Sequence, residues 1–324
     1  MLKCEEAKMP VISVIVPFLN EADCITLFCE YIDNAAKDKT YEIEVIFVDD
    51  GSSDNTVEII QNYLYEYCKF VKIIRLSKNF GSHAAIRAGL LHSTGDYCLF
   101  ISADLQEPKD MIDAMFNKII EGYDIVNVEK CSVEQSFMGR MFGLIFASLI
   151  RRYGVKNYSS GGIANIMFNK KITSFLNENI ESNTSIVLQI IDSGFKSFTI
   201  TMDYNNRSAG GSKWTVSKRI KLFIDSFVSF SFMPIRLVSL IGILMAVGGF
   251  SFGMITIINR LINPNFVTGF ATIASLLLFG FGVTNMSLGI IAEYLWRTYD
   301  ASRKRPVFLI TDIKELKIDA LKRA

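Results

Sequence analysis

The sequence predicts an α/β domain with a mostly parallel sheet, followed by two transmembrane helices. Three observations support this fold class. Short β-branched runs alternate with helical segments over the first two thirds of the chain, and a helix between two strands is a crossover that makes them parallel. Polar clusters follow the predicted strands, and two long uncharged apolar runs lie near the C-terminus. We therefore expect a Rossmann-like core attached to a membrane.

The predicted strands are short apolar runs rich in β-branched and aromatic residues. They are Val11–Val16, Ile43–Val48, Val71–Leu76, Tyr97–Ile101 and Ile125–Val128. Predicted helices separate them, bounded by capping residues, glycine or proline. They run from Asp23 to Lys37, Asp54 to Tyr67, His83 to His92 and Met111 to Glu121. Both histidines of the chain thus belong to one helical segment, and the sequence offers no evident catalytic histidine.

Polar or special-geometry residues follow four of these strands. They are Pro17–Glu21, Asp49–Asp54, Ser77–Ser82 and Ser102–Glu107. Because the carboxyl ends of parallel strands share one edge of a sheet, we expect these segments to surround one ligand cleft. Turn formation and helix capping are the alternative role for Asp49 and Asp50.

The Ser102–Glu107 cluster carries the strongest chemical signal. If the backbone stays extended after the strand, Ser102, Asp104 and Gln106 project to one side, since side chains alternate along extended chain. Their oxygens suit a hard cation such as Mg²⁺ or Mn²⁺. The alternative is a solvated turn in which Asp104 or Glu107 only caps the helix after Pro108.

A carboxylate-rich edge that holds a metal suits a nucleotide sugar, because the metal neutralises the diphosphate. The turn after the first strand reads PFLNE and lacks the GxGxxG of dinucleotide enzymes, which disfavours hydride transfer. The net charge of +1, without a basic stripe, gives no indication of nucleic-acid binding. Six cysteines without a CxxC pair indicate reduced thiols, with neither a disulfide framework nor a zinc site.

Two uncharged runs, Leu237–Ile258 and Phe266–Ala292, are long enough to span a bilayer. Two amphipathic stretches precede them, Phe137–Tyr153 and Ile220–Phe232, which fit helices in the headgroup region or ordinary packing against the domain. Met1–Pro10 is polar and does not resemble a signal peptide.

The expected organisation has four parts. They are a catalytic domain over 1–215, a juxtamembrane amphipathic helix over 216–235, a two-helix hairpin over 236–292 and a C-terminal tail over 293–324. Basic residues flank both spans, whereas the connecting loop 259–265 carries only Arg260. The positive-inside rule then predicts a two-span protein of the plasma or inner membrane, with the catalytic domain and both termini in the cytoplasm.

Five motifs, in this order, carry a family resemblance. They are VISVIVPFLNE, EVIFVDDGSSDNT, IRLSKNFGSHAAIRAGL, GDYCLFISADLQEP and EGYDIV, followed later by RSAGGSKW, SFSFMPIRL and EYLWRTYDASRKRP. The chain resembles family 2 glycosyltransferases of the GT-A fold, and most closely the polyisoprenyl-phosphate glycosyltransferases. The resemblance covers nearly the whole chain.

The resemblance implies roles for individual residues. The nucleotide-sugar site would comprise Pro17, Glu21, Asp49, Asp50, Ser102, Asp104 and Ser212. A divalent metal, Mg²⁺ or Mn²⁺, would bind Asp104 and Gln106, and the acceptor phosphate would bind Lys130, Ser136 and Arg140. Catalytic roles would fall to Asp104, Arg207 and Lys213.

Three positions depart from the family pattern. Ser102 stands where the family usually has the first aspartate of Asp-x-Asp, Ala164 where it has an aspartate beside the sugar, and Val133 where it has a second basic residue. These positions leave two alternatives open. One is a weakened nucleotide-sugar-binding scaffold in the membrane, and the other is transfer to a different lipid-linked or saccharide acceptor.

The resemblance implies inverting transfer of a sugar to a membrane polyprenyl (undecaprenyl) phosphate for cell-surface glycan assembly. The acceptor phosphate is already anionic at pH 7, so the reaction needs no strong general base. The expected partners are a nucleotide sugar (a UDP-sugar in preference to a GDP-sugar), the polyprenyl phosphate, the bilayer and further copies of the chain in a homo-oligomer.

Overall fold

One mixed sheet of eight strands organises the computed structural model, which describes residues 9–131, 147–152, 155, 158, 162–181, 184–204, 233–262, 270–303 and 305–316. The strands are β1 Val11–Phe18, β2 Glu42–Asp49, β3 Phe70–Leu76, β4 Tyr97–Phe100, β5 Ile125–Lys130, β6 Asn165–Asn169, β7 Ser197–Met202 and β8 Ile310–Leu316. Their order across the sheet is β7-β5-β6-β4-β1-β2-β3-β8. The first five lie where the apolar runs predicted them.

Six helices accompany the sheet within the described residues. They are α1 Ile25–Ala35, α2 Thr56–Asn62, α3 Ser82–Leu91, α4 Met111–Ile120, α5 Lys170–Glu178 and α6 Ile186–Asp192. A further helical segment covers 147–152. The predicted second helix is too long, because α2 ends at Asn62 and the backbone of Tyr63 is extended, with ψ of 137°.

Strand directions place the carboxyl ends of six strands at one edge. The neighbours β4, β1, β2 and β3 are parallel, and β5 is parallel to β7. Strand β6 is antiparallel to both β4 and β5, which makes β5 run in the direction of β4. The mostly parallel sheet of the prediction is thus confirmed, and β6 begins at the edge where β4 and β5 end.

Both faces of the central strands are buried. On β1, Ile12, Val14 and Val16 pack on the side of α1, α2 and α4, whereas Ile15 packs on the side of α3, α5 and α6. All four side chains are fully buried, and burial of each side chain of this kind contributes about 1.5 to 3 kcal/mol. This two-sided burial requires continuous apolar runs, and such runs can be recognised in the sequence.

Strand β8 returns from the C-terminal end of the chain to the sheet. It pairs antiparallel with β3, and residues 1–226 and 306–324 form one compact unit. Its sequence, ITDIKEL, is mostly polar and its side chains are mostly exposed, as an edge strand permits. The segment 293–324 expected as a tail therefore contains the last strand of the sheet.

The second compact unit, residues 227–305, contains α7 Met233–Ile262 and α8 Phe270–Ser302. Among the described residues, one segment passes a length and hydropathy criterion for crossing a membrane, Ile235–Ile255, with mean hydropathy 2.1 and no burial. Large apolar side chains of α8 are also exposed, including Phe281 at 64% and Leu295 at 66%.

The two amphipathic stretches lie mostly outside the described residues. Of Phe137–Tyr153, the structure describes 147–152, in which Ala147 and Ile150 are buried while Arg151 and Arg152 are exposed. The apolar side of this part is thus covered by protein. The stretch Ile220–Phe232 falls outside the described residues.

Candidate active site

The turn after β1 and the loop after β2 are hydrogen-bonded to each other. Asn20, in the left-handed region with φ of 52°, accepts a bond from the Ser53 N–H at 2.8 Å. Its own N–H donates to Ser52 Oγ at 2.9 Å, and the Glu21 N–H donates to Thr56 Oγ1 at 3.0 Å. The two segments therefore form one continuous wall at the carboxyl edge of the sheet.

The loop after β4 joins this wall through Cys24. The Cys24 thiol lies 3.4 Å from Glu21 Oε2 and 3.3 Å from the Ala103 carbonyl oxygen. Pro17 is half-buried within β1, where it is paired in register with Val48. Three of the four polar segments that were predicted to converge are thus in contact in the structure.

Asp49 is fully buried at the end of β2 and holds its own loop. Its Oδ1 accepts a bond from the Ser52 N–H at 2.7 Å, and its Oδ2 accepts one from Arg75 Nε at 3.2 Å. Both carboxylate oxygens thus have protein partners, which corresponds to the turn-forming alternative. Contact with a nucleotide stays a prediction for this residue.

Asp50 connects β2 to the beginning of α3. Its Oδ1 accepts from the Phe80 N–H at 2.7 Å and its Oδ2 from the Gly81 N–H at 2.9 Å. Gly81 precedes α3 with φ of 94°, a conformation that disfavours other residues. Burial raises the pKa of Asp50, an effect that the two N–H donors oppose. Asp50 therefore fixes the loop that leads into α3.

The Ser102–Glu107 cluster does not continue the strand. Residues 103 and 104 turn, and Leu105 lies in the left-handed region with φ of 57°. The expectation of an extended backbone, with Ser102, Asp104 and Gln106 alternating to one side, is therefore wrong. Ser102 is exposed, whereas Asp104 and Gln106 are half-buried. The turn moves the cluster toward β5 and β6.

A group of five polar side chains, which we call the polar ring, joins this cluster to three strands. Lys130 Nζ, at the end of β5, donates to Gln106 Oε1 at 2.8 Å and lies 4.4 Å from the centre of the Tyr204 ring. The Tyr204 hydroxyl donates to Asn165 Oδ1 at 2.6 Å. Asn165 Nδ2 donates to Glu107 Oε1 at 3.4 Å. Glu107 follows Gln106 in the chain, which closes the ring.

Glu107 is the most perturbed carboxyl of the site. It is 6% exposed, and its Oε2 has no hydrogen-bond partner in the described part of the chain. Burial, and then the charge of Asp104, raise its pKa from 4.5 to about 7. Burial also raises the pKa of Tyr204, with a further contribution from Glu107. Glu107 thus contributes a buried carboxyl with one unpaired oxygen to the polar ring.

The donor set fits a divalent cation that is completed by a substrate. No group of three His, Cys, Asp or Glu side chains with metal-binding spacing occurs among the residues that the structure describes. Asp104 supplies one carboxylate and Gln106 one amide oxygen, which in this structure accepts from Lys130. Mg²⁺ commonly binds proteins through one or two carboxylates and takes the remaining oxygens from phosphates and water.

Several predicted site residues fall outside the described residues. They are Val133, Ser136, Arg140, Arg207, Ser212 and Lys213. Ala164 is exposed at the same edge as Lys130, one residue before β6, and its N–H donates to the Val128 carbonyl at 2.8 Å. Its methyl group cannot hydrogen-bond a sugar hydroxyl.

The sequence analysis missed Asn165 and Tyr204. Asn165 follows Ala164, a position already singled out, and Tyr204 lies three residues before Arg207 of the RSAGGSKW motif. Proximity to these motifs was the only available signal, because the hydrogen bond between the two residues spans 39 positions of the chain.

Comparison with known proteins identifies similar sequences over most of the chain. Residues 13–201 match the family described as glycosyl transferase family 2. An undecaprenyl-phosphate 4-deoxy-4-formamido-L-arabinose transferase of Yersinia enterocolitica is 28% identical over 312 residues, 95% of each chain. A putative glycosyltransferase of Bacillus subtilis, CsbB, is 31% identical over 94% of this chain and 92% of its own length.

Solved structures show weaker similarity. A mannosyltransferase of Pyrobaculum calidifontis, determined with GDP-mannose and Mn²⁺, matches 91% of this chain and 88% of its own, with a TM-score of 0.48 and 16% identity. Residues 1–349 of S. aureus TarS match 60% of this chain and 59% of that chain, with a TM-score of 0.43 and 20% identity.

Proposed function

Because this chain belongs to glycosyl transferase family 2 and has the GT-A fold of that family, we propose that it transfers a sugar from a nucleotide diphosphate to the phosphate of a membrane polyprenol. The chain is a glycosyltransferase by its family. The observation that supports this acceptor is the similarity, along 95% of both chains, to a relative named for transfer to undecaprenyl phosphate.

The reaction is an inverting displacement. An oxygen of the acceptor phosphate attacks the anomeric carbon, the bond from that carbon to the nucleoside diphosphate breaks, and the leaving diphosphate keeps the electron pair. No base has to remove a proton, because the acceptor phosphate is already ionised at pH 7.

In this proposal the side chains of the protein bind both substrates and orient them for the reaction. Lys130 holds the acceptor phosphate, and the wall formed by the loops after β1 and β2 receives the nucleotide. Asp104 and Gln106 hold the divalent cation, Mg²⁺ or Mn²⁺, which when bound offsets the charge that develops on the leaving diphosphate. Ser136, Arg140, Arg207, Ser212 and Lys213 complete the acceptor and donor contacts in this proposal.

Membrane attachment brings the enzyme to its lipid acceptor. The proposal has two spans, within α7 and α8, with the catalytic unit in the cytoplasm and a homo-oligomeric assembly. One observation supports an even number of crossings: the chain leaves the first compact unit before residue 227 and returns to the same sheet as β8. The proposed membrane segment therefore begins and ends on the same side of the membrane.

A transfer assay tests the function. Purified full-length protein is mixed with polyprenyl phosphate, Mg²⁺ or Mn²⁺ and a panel of labelled UDP- and GDP-sugars, and chloroform-extractable label is counted. We expect label to enter the organic phase with at least one donor, and with UDP-sugars in preference to GDP-sugars. Lys130→Met should raise the acceptor concentration needed, whereas Lys118→Met, which removes the same charge from a partly exposed position on α4, should not.

Two results would decide against this function. Donor binding without any transfer, across the whole panel, would favour a nucleotide-sugar-binding scaffold. Transfer of label to a water-soluble or saccharide acceptor would instead show that the protein is a glycosyltransferase whose acceptor is not a lipid phosphate.

A further inference from the structure

In the proposed function Lys130 binds the acceptor phosphate and Gln106 binds the divalent cation, yet the two side chains bind each other in this structure. The Lys130 ammonium donates to the same Gln106 oxygen that the cation would need, at 2.8 Å. A divalent cation on the same oxygen would lie close to the Lys130 ammonium, and the two positive charges would repel each other. The two contacts of Gln106, to lysine and to cation, therefore compete.

The Lys130 charge is not neutralised within the described residues. None of the ion pairs found there includes Lys130, and its ammonium has three N–H donors, of which one goes to Gln106. Its other contact is the face of the Tyr204 ring, 4.4 Å away. A cation between an aromatic face and a neutral amide retains affinity for an anion.

Tyr204 gives this ammonium a fixed platform. Its hydroxyl donates to Asn165 at 2.6 Å, and Asn165, which is 4% exposed, donates to the Phe100 carbonyl at 2.8 Å. The ring is thus anchored to β4 and β6 while the lysine side chain above it keeps its rotatable bonds. Lys130 can move across the ring without disturbing the strands.

We propose that Lys130 and Gln106 form an exchangeable pair that couples the two substrates. A phosphate that binds Lys130 draws the ammonium away from Gln106, and the released amide oxygen then binds the divalent cation. Phosphate and cation therefore bind cooperatively, and by linkage each strengthens the other by the same factor. This inference rests on the proposed function, which supplies both ligands, and it makes Tyr204 a positioning residue.

The test measures Mn²⁺ affinity of the full-length protein in detergent, from the electron paramagnetic resonance signal of free Mn²⁺. Farnesyl phosphate is the lipid-phosphate probe, and UDP is the diphosphate probe in a separate arm. We expect farnesyl phosphate to tighten Mn²⁺ binding by about fivefold or more. Lys130→Met should bind Mn²⁺ more tightly without any probe and should lose the response to the probe.

A double-variant comparison separates exchange from simple charge repulsion. If Lys130 acts through Gln106, Lys130→Met should not change Mn²⁺ affinity in a Gln106→Ala background, whereas a general charge effect would persist there. Tyr204→Phe keeps the ring and should keep most of the coupling, while Tyr204→Leu should reduce it. Circular dichroism and the unfolding midpoint confirm that each variant is folded.

The outcomes are distinct. If UDP but not farnesyl phosphate tightens Mn²⁺ binding, and only when Lys130 is present, the exchangeable pair is retained and the phosphate that binds Lys130 belongs to the donor. Mn²⁺ binding that no probe tightens, or tightening that survives in Gln106→Ala, would overturn the inference while leaving the transferase intact. Absence of Mn²⁺ binding even with UDP present, together with no transfer, would remove the metal from the proposed function itself.

Discussion

Glu107 shows how burial at a single residue makes stability depend on pH. Its pKa is raised to about 7 in the folded protein, from 4.5, first by burial and then by the charge of Asp104. The folded state thus holds this proton more tightly than the unfolded chain does. The resulting stabilisation is present below pH 4.5 and is lost as the pH rises through 7.

We expect Glu107→Gln to reduce this pH dependence. Between pH 5 and 8 the parent protein should lose about 2.5 kcal/mol of stability through this group, and the variant should not. Unfolding midpoints of the metal-free protein over that range measure the difference. Glu121→Gln, on an exposed carboxyl at the end of α4, is the matched control, and parallel pH profiles for parent and Glu107→Gln would contradict the assignment.

Ser102 and Asp104 give a second prediction at this scale. Asp104→Asn should abolish metal-dependent donor binding, because it removes the carboxylate that the cluster offers to a cation. Ser102→Asp should tighten Mg²⁺ or Mn²⁺ binding by about 1 to 2 kcal/mol, since it adds a negative charge two residues from Asp104, at an exposed position where solvent screens it. Titration of the metal against donor binding measures both effects.

The control for added charge is Ser197→Asp, at the exposed beginning of β7 and thus at the opposite edge of the sheet. It should leave the metal midpoint unchanged. An unchanged midpoint in Ser102→Asp, combined with metal-dependent donor binding in Asp104→Asn, would show that the cation binds elsewhere.

Which side chains meet at the edge was only partly predictable. Asp49, Asp50 and Asp104 follow strands, and parallel strands bring their carboxyl ends together whatever the detailed geometry. The turn at Leu105 was not predictable, because a leucine rarely takes a positive φ. Because of this turn, Ser102, Asp104 and Gln106 do not alternate along an extended chain, and Gln106 and Glu107 instead take part in the polar ring.

At the scale of elements, a buried polar network fixes the amino ends of β1, β2 and β3. Glu44 is fully buried, and its carboxylate accepts bonds from Ser13 Oγ at 2.6 Å, the Thr94 N–H at 2.9 Å and Lys72 Nζ at 3.1 Å. These bonds lower the pKa of Glu44 despite its burial, which acts in the opposite direction. The network lies at the edge opposite the candidate site.

Glu44→Gln should destabilise the catalytic unit by about 3 kcal/mol, because nearly buried Lys72 then keeps only the exposed Glu315, 3.8 Å away, as a charged partner. Glu42→Gln is a close control: it lies on the same strand and breaks the Glu42–Lys69 pair, which is partly exposed, at a cost of about 0 to 1 kcal/mol. Denaturant unfolding compares the two. Equal effects would mean that burial does not set the energy of these pairs.

The strands that the sequence analysis missed share a physical cause. Strand β7 alternates polar and apolar residues, with alternating exposure, over only six positions, and β8 lies at the sheet edge with most of its side chains in solvent. Strand β6 is only five residues long. Edge and short strands need few apolar residues, so their sequences lack the continuous apolar runs that identify β1 and β2, which must be apolar on both faces.

At the scale of the whole molecule, orientation in the membrane is testable. Basic residues lie before α7 and at the end of α8, whereas Arg260 is the only basic residue in 259–265. We expect Asn263→Cys, in a background without native cysteines, to react with an impermeant thiol reagent applied from outside the cell. Asn263 itself lies outside the described residues.

The matched control for labelling is Thr311→Cys, on exposed β8. It should react only after permeabilisation, because β8 shares a sheet with the catalytic unit. Labelling of both positions from the same side would mean that the chain between residues 263 and 311 crosses the membrane an even number of times or not at all.

The return of β8 also imposes an order on biosynthesis. Residues 310–316 leave the ribosome after both long apolar helices, so the edge of β3 remains without its partner strand until α7 and α8 have been made. A chain stalled before β8, or one whose apolar helices fail to insert, keeps an open strand edge that can pair with another chain. Completion of the catalytic sheet thus reports that both apolar helices have already been synthesised, and unfinished chains expose a feature that quality-control proteases and chaperones can recognise.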